Sequence, residues 1–243
     1  MSTRYHIGAK SLRGGIPAYS KRFDLLEVHA DPTSPSIAAL RRWRKAVPPH
    51  FEFCVVAGKH LGAVKESPEL VRELELAIEM IAALQARCFL LPTPVEVTPS
   101  SLWRERIARL LERLPRDATS VIWEPRGVWE HETAAAAAKK WGVVLSVDPV
   151  RETVPPGPVA YARLRALGET QSYGESALAR VVSAIGPRRD AYVVLETASA
   201  LAECKTLRRL AARGDGAVER GGGGRVVRPR TVTTMKVRDD EQE

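Results

Sequence analysis

Asparagine is absent from all 243 positions, and Gln85, Gln171 and Gln242 are the only glutamines. Amides are the heat-labile polar side chains, so their depletion fits a heat-adapted source. Arginine outnumbers lysine 28 to 9, a bias that a GC-rich genome produces as readily as heat adaptation. Cysteine is also scarce. Cys54, Cys88 and Cys204 are odd in number, far apart and without a CxxC pair, which argues against a disulfide framework or a thiolate zinc site. Cys54 and Cys88 fall in apolar runs, where a free thiol behaves as a small buried hydrophobe. No stretch approaches the about 20 apolar residues that a membrane helix needs. No apolar core follows "MSTRYHIGAK", so no secretory signal is read and the cytoplasm is the expected location. Three motifs are missing as well. GxSxG is absent, "GAKSLRGG" lacks GxGxxG order, and nothing before "GKHLG" completes a P-loop. These absences exclude a serine elbow and the common dinucleotide and triphosphate loops.

What is there reads as a soluble globular protein, 44% hydrophobic and 27% charged. The net charge of +8 raises nucleic acid as a partner. From Asp215 to Glu243 six basic and six acidic residues cancel, so the body carries the whole excess. It is spread over "RRWRK" (41–45), "RERIARLLERLPR" (104–116), Arg188-Arg189 and Arg208-Arg209. Most of these fall on expected helices, with acids interleaved in the second. Solvated outer helix faces are therefore favoured over a nucleic-acid groove.

Short apolar runs alternate with helical segments along the chain. Eight runs have the length of a buried parallel strand: 5–8, 25–29, 51–57, 88–91, 120–124, 143–148, 159–164 and 192–196. Ser67-Pro68-Glu69 opens a long helix, and Thr98-Pro99 opens the next in the same way. Ser172 and Glu175 have capping-box spacing, and Gly142 closes an alanine-rich helix. Residues 9–23 show little periodicity, and "PVRETVPPGP" (149–158) is a proline-rich loop. Eight β units point to a (β/α)8 TIM-type barrel over residues 1–213, with some outer helices reduced or missing. From Gly214 a glycine-rich, charged segment reads as a flexible tail to residue 243.

In such a barrel functional groups gather at the C-terminal strand ends. Here those ends carry Lys10, Glu27, His29, Lys59, His60, Glu124, Arg126, Asp148, Arg163, Arg165 and Glu196. Side chains alternate along a strand, so Glu27/His29, Glu124/Arg126 and Arg163/Arg165 each share a face. Turned inward, they make a mouth of carboxylates and guanidiniums that must pair when buried, with Trp129 as a wall. Glu27 and Glu124 are the candidate acid and base, and His29, Arg126, Trp129, Asp148, Arg163, Arg165 and Glu196 the candidate ligand-binding set. Glu27, His29, Asp148 and Glu196 could hold a divalent ion, but no HxxxH or HxH spacing singles them out. No cofactor is indicated. His6, His50 and His131 receive no role.

The order of these blocks resembles the YecE-like family, domain of unknown function 72, whose members are TIM-barrel-like. Its strand-two block keeps Glu27 in "FDLLEVHADP", with His29 at a usual Asn. Its Glu-x-Arg block ending in Trp is matched by "EPRGVW" at Glu124, Arg126 and Trp129. "YARLR" matches Tyr-x-Arg-Leu-His at Tyr161, Arg163 and Leu164, with Arg165 at the His. "FEFCVVAGKH" keeps Phe51, Phe53 and Val55, and Glu196-Thr197 replace a usual Asn pair. The resemblance covers about residues 1–212 and implies the barrel but no established reaction. Three functions follow as expectations. The first is binding of an anionic or sugar-like small molecule at the mouth, with hydrolase or lyase chemistry. The second is a noncatalytic nucleic-acid- or protein-binding barrel, and the third a degenerate member with a structural ion-pair ring.

Overall fold

In the computed structural model, which describes residues 3–12, 14–166 and 171–220, eight parallel strands close on themselves in chain order. They are β1 Arg4–Ala9, β2 Leu25–Ala30, β3 Glu52–Ala57, β4 Cys88–Thr93, β5 Ser120–Pro125, β6 Val144–Val147, β7 Val159–Leu164 and β8 Asp190–Leu195. The (β/α)8 expectation holds strand for strand. Every residue of β3, β7 and β8 is buried, which is why these segments read as continuous apolar runs rather than alternating ones. Alternation decides which core each side chain joins. Leu25, Cys54, Leu90, Ile122, Tyr161 and Val194 pack inside the barrel. Their chain neighbours pack outward against the helices.

The helices are α1 Ile16–Ser20, α2 Ile37–Lys45, α3 Lys59–Gly62, α4 Pro68–Leu84, α5 Ser101–Glu112, α6 His131–Trp141, α7 Glu175–Ile185 and α8 Ala200–Arg220. α4 opens as its sequence predicts. The Ser67 hydroxyl accepts from the Leu70 N–H at 3.1 Å, and Pro68 takes the first turn. α6 closes on Gly142 in the left-handed conformation at φ 65°. Two starts differ from expectation. α5 is capped by Ser100, not Thr98, and α7 by Gly174 with no side-chain cap, so the Ser172–Glu175 capping box does not form. Two connections are thin, as the sequence suggests. α1 spans five residues, and no helix lies between β6 and β7. α8 continues to Arg220, through the first seven positions of the expected tail, and residues 221–243 lie outside the described ones. Among the described residues no helix is long and apolar enough to cross a membrane.

β1 meets β2 through two register pairs, Gly8↔Leu25 and Ala9↔Leu26. A Cβ at Gly8 would stand 2.3 Å from the Leu25 carbonyl oxygen, a backbone atom that cannot swing away. Gly8→Ala is expected to open this seam and lower stability by about 1–3 kcal/mol. The measurement is the urea midpoint, and an unchanged midpoint contradicts the close approach.

Candidate functional site

At the C-terminal mouth, β2, β5, β7 and β8 aim charged side chains into the barrel one layer above its apolar interior. Glu27, Glu124 and Arg163 are 6%, 5% and 9% exposed, so their charges are nearly cut off from water. Arg163 is the hub. Its Nη2 donates to Glu27 Oε2, its Nη1 donates to Glu124 Oε2 at 3.0 Å, and the same Nη1 lies 3.4 Å from Glu196 Oε1. Arg165 donates from Nη2 to Glu124 Oε1 and from Nε to Glu196 Oε1 at 3.2 Å. Lys10 Nζ reaches Glu196 Oε2 at 3.2 Å, and the Tyr161 hydroxyl donates to Glu27 Oε1. Three carboxylates thus face three cations, Arg163, Arg165 and Lys10, and the cluster is neutral.

The electrostatics follow from that pairing. Burial pulls the Arg163 guanidinium down, but Glu27, Glu124 and Glu196 outweigh it and raise it above its ordinary value. Burial would likewise raise Glu196, yet Arg163, Arg165 and Lys10 pull its carboxyl below the ordinary 4.5. Burial pushes the Tyr161 hydroxyl far up, so it stays a donor to Glu27. Among the described residues two buried polar atoms have no hydrogen-bond partner, Arg163 Nε and Ser146 Oγ. They sit on neighbouring strands, Ser146 in register with Tyr161.

The other expected site residues are placed differently. His29 is exposed at the end of β2, where it helps line a cleft of about 220 Å³ together with Glu27, Asp31, Thr33, Ser34 and Trp43. Arg126 is exposed and makes no ion pair among the described residues. It lies past the last residue of β5, beside Gly127 at φ 81°, so strand alternation no longer governs it. Trp129 does not wall the mouth. It is buried outside the barrel against Trp123 and Trp141, and its Nε1 donates to the Val97 carbonyl at 2.6 Å. Asp148 serves the β6–β7 loop, accepting from the Val150 N–H at 3.0 Å and the Tyr173 hydroxyl at 3.3 Å. Lys59 and His60 open α3 and stand apart from the cluster. Sequence reasoning missed Ser146 as a mouth residue and took Tyr161 only as part of a motif. The alternation that places Arg163 inward also places Tyr161 there and was available to find it. Among the described residues no group of three or more His, Cys, Asp or Glu is arranged to hold a metal ion.

The family model "Protein of unknown function DUF72" matches residues 3–222. The chain belongs to the DUF72 family. A DUF72 protein from Enterococcus faecalis superposes with a TM-score of 0.70 at 14% identity, over 86% of this chain and 95% of that one. A DUF72 protein from Thermotoga maritima gives 0.59 at 15% identity, over 89% and 99%. A xylose isomerase domain containing protein from Salmonella typhimurium gives 0.53 at 16% identity, over 89% and 97%. At these identities the likeness shows the barrel fold. No curated protein sequence matches the chain.

Two outcomes test the geometry of this DUF72 mouth. Arg163→Met strips three buried carboxylates of their shared cation and is expected to cost about 3–5 kcal/mol in chemical denaturation. Glu196 has a folded value below its ordinary one, so its stabilisation is present above pH 4.5 and lost as pH falls through the folded value. The stability gap between wild type and Glu196→Gln should therefore close below pH 4.5. A gap that stays constant with pH contradicts the pairing.

Proposed function

We propose that this barrel binds a small, uncharged, hydroxyl-rich molecule of the sugar class in the cleft at the end of β2. The carrying observation is the chemistry of that cleft. Asp31 offers a carboxylate, Thr33 and Ser34 hydroxyls, His29 an imidazole and Trp43 an aromatic wall, and Glu27 lines it with a side chain that is only 1% exposed. Among the described residues its lining holds carboxylates and no lysine or arginine, which favours sugar hydroxyls over an anion. A volume of about 220 Å³ falls below the range of drug-sized sites and suits a monosaccharide. The Asp31–Ser34 turn is held by its own bonds, with Thr33 N–H donating to Asp31 Oδ1 at 2.8 Å and Asp31 N–H donating to Ser34 Oγ at 3.0 Å. The cleft is therefore largely formed before a ligand arrives.

Within this reading Glu27, its side chain only 1% exposed, is the candidate general base of hydrolase- or lyase-type chemistry once its pairing opens toward the cleft. Glu124 is one ion pair removed and acts as a positioning residue through Arg163. Both Glu27 oxygens already hold a donor, so proton abstraction requires Tyr161 or Arg163 to yield one. The sugar-directed name of the Salmonella relative is consistent with this substrate class. A competing reading, an ion-pair ring that only closes the barrel, draws on the fact that all four Glu27 and Glu124 oxygens are occupied.

Thermal shift against aldoses, ketoses and polyols separates the two, because a ligand of the native state raises the melting point by mass action. A sugar hit should weaken about tenfold in His29→Ala, the loss of one hydrogen bond to an ionisable group. The unliganded melting point should hardly move, since His29 is exposed. If no sugar or polyol shifts the wild type, the mouth is structural.

A further inference from the structure

The opposite, N-terminal face of the barrel carries a second charged group that the mouth does not use. Asp190, at the start of β8, accepts from Arg4 Nη2 at 3.1 Å and Arg189 Nε at 2.8 Å, and faces His6 Nε2 at 3.3 Å. Glu52, at the start of β3, lies 3.5 Å from Arg87 Nη1. The layering is consistent. The side chains of Asp190 and Glu52 are 8% and 5% exposed, while those of Arg4, Arg87 and Arg189 are 58%, 60% and 61% exposed. The carboxylates form a buried floor and the guanidiniums stand on it. Burial alone would raise Asp190, but hydrogen bonds from Arg189, His6 and Arg4 outweigh it and keep it a counter-ion. Each guanidinium has five N–H donors, and among the described residues each of these three spends only one nitrogen on its carboxylate. The remaining donors face outward.

They face a cavity of about 1350 Å³, the larger of two described. It exists because the proline-rich 148–158 connection supplies no outer helix beside α6 and because α6 turns small side chains toward the gap. Ala135, Ala138, Val143 and Pro156 give it an apolar wall. Its lining holds five cations, Arg4, Arg87, Arg116, Lys139 and Arg189, against two acids, Asp117 and Asp190. Counting Glu52 beneath Arg87 leaves the excess positive, five against three. One end therefore suits a multiply charged anion and the other an uncharged body. Arginine forks match phosphate oxygens two at a time, which a carboxylate-anchored guanidinium does with little further ordering. The volume exceeds the about 300–1,000 Å³ common for small-ligand sites, enough for a nucleotide-sized molecule.

We propose that the N-terminal face holds a second ligand site, which takes a phosphorylated small molecule, its phosphates on Arg4, Arg87 and Arg189 and its uncharged body against the α6 wall. This site is separate from the mouth, whose reading it neither needs nor supports. The barrel floor is ordinarily a place for stability alone. Here the arginines are exposed and open onto a cavity, whereas floor ion pairs serving only closure need neither feature.

Isothermal titration of the full chain with pyrophosphate and with ATP tests the assignment. Both should bind, ATP more tightly, and both more weakly as salt rises. Arg87→Gln and Arg189→Gln should each weaken both ligands about tenfold, the loss of a charge-assisted hydrogen bond. Both side chains are exposed, so the variants should fold, and their melting points check that. Ala135→Leu narrows the wall and should weaken ATP while sparing pyrophosphate. No binding of either probe at millimolar concentration overturns the proposal. So does binding that survives the Arg87→Gln/Arg189→Gln double variant, and so does an Ala135→Leu variant that binds ATP as tightly as wild type.

Discussion

One guanidinium ties the upper barrel together. Arg163 reaches carboxylates from β2, β5 and β8 while standing on β7, so its bonds span half the circumference. A unit charge buried there costs several kcal/mol in lost hydration. Attraction to a carboxylate at 3.0 Å is worth about 5 kcal/mol at an effective dielectric near 20. The two are of the same size, so the cluster is close to neutral in stability and strongly selective in geometry. A shift of β7 by one residue would turn Arg163 into the helix layer and strand three acids in the mouth. The ion cluster thus fixes register, and the apolar layers supply the stability.

The sequence made the barrel legible because eight apolar runs of strand length, each followed by a helix or a proline-rich loop, leave few architectures. Glu27, Glu124, Arg163, Arg165 and Glu196 were legible for a related reason. A charge at the C-terminal end of a doubly buried strand must face inward or outward, and alternation with Leu25, Ile122 and Tyr161 decides which. That logic stops where the strand stops. Arg126 follows Pro125, the last residue of β5, and Gly127 then turns the chain, so period-two reasoning fails at that residue. Trp129 shows a different limit. An aromatic near a loop is as able to roof the outer layer as to wall a pocket. Its choice depends on Trp123 and Trp141, whose proximity is tertiary. The 220 Å³ cleft beside His29 was not legible for the same reason, since Trp43 comes to it from α2. The basic excess was legible only as a number. Pairs such as Arg72–Glu69 and Arg113–Glu66 cancel and contribute nothing to it, while part of it is gathered at the barrel floor by residues far apart in sequence.

The two ends of the barrel solve one problem twice. Strand termini must carry polar groups, because backbone and side chains meet water there, yet parallel strands pull those groups toward a narrow axis. At the mouth, three acids and three cations close the balance locally. At the floor, Asp190 and Glu52 gather Arg4, Arg87 and Arg189 above them. Between the ends the described interior is a cluster of buried side chains. Cys54, Cys88, Tyr161 and Tyr192 fill the axis, and burial pushes both thiols well above their ordinary value, so they act as packing groups. Tyr161 and Tyr192 stack at 6.1 Å, one hydroxyl committed upward to Glu27 and the other ring lying against His6 at 4.8 Å.

Each end must neutralise its own buried charge, because a counter-ion at the far end is separated by a full layer of close-packed side chains. At the mouth every carboxylate oxygen of Glu27 and Glu124 is paired, and a cleft opens at the β2 edge, where among the described residues carboxylates outnumber cations. The floor is over-supplied with exposed guanidiniums and opens sideways where an outer helix is missing. Ligands of opposite electrostatic character are therefore expected at the two faces, hydroxyl donors above and anions below. The missing helix between β6 and β7 is what sets the faces apart. It leaves the floor reachable from the side, while the mouth is shaped by the charged ends of β2, β5, β7 and β8.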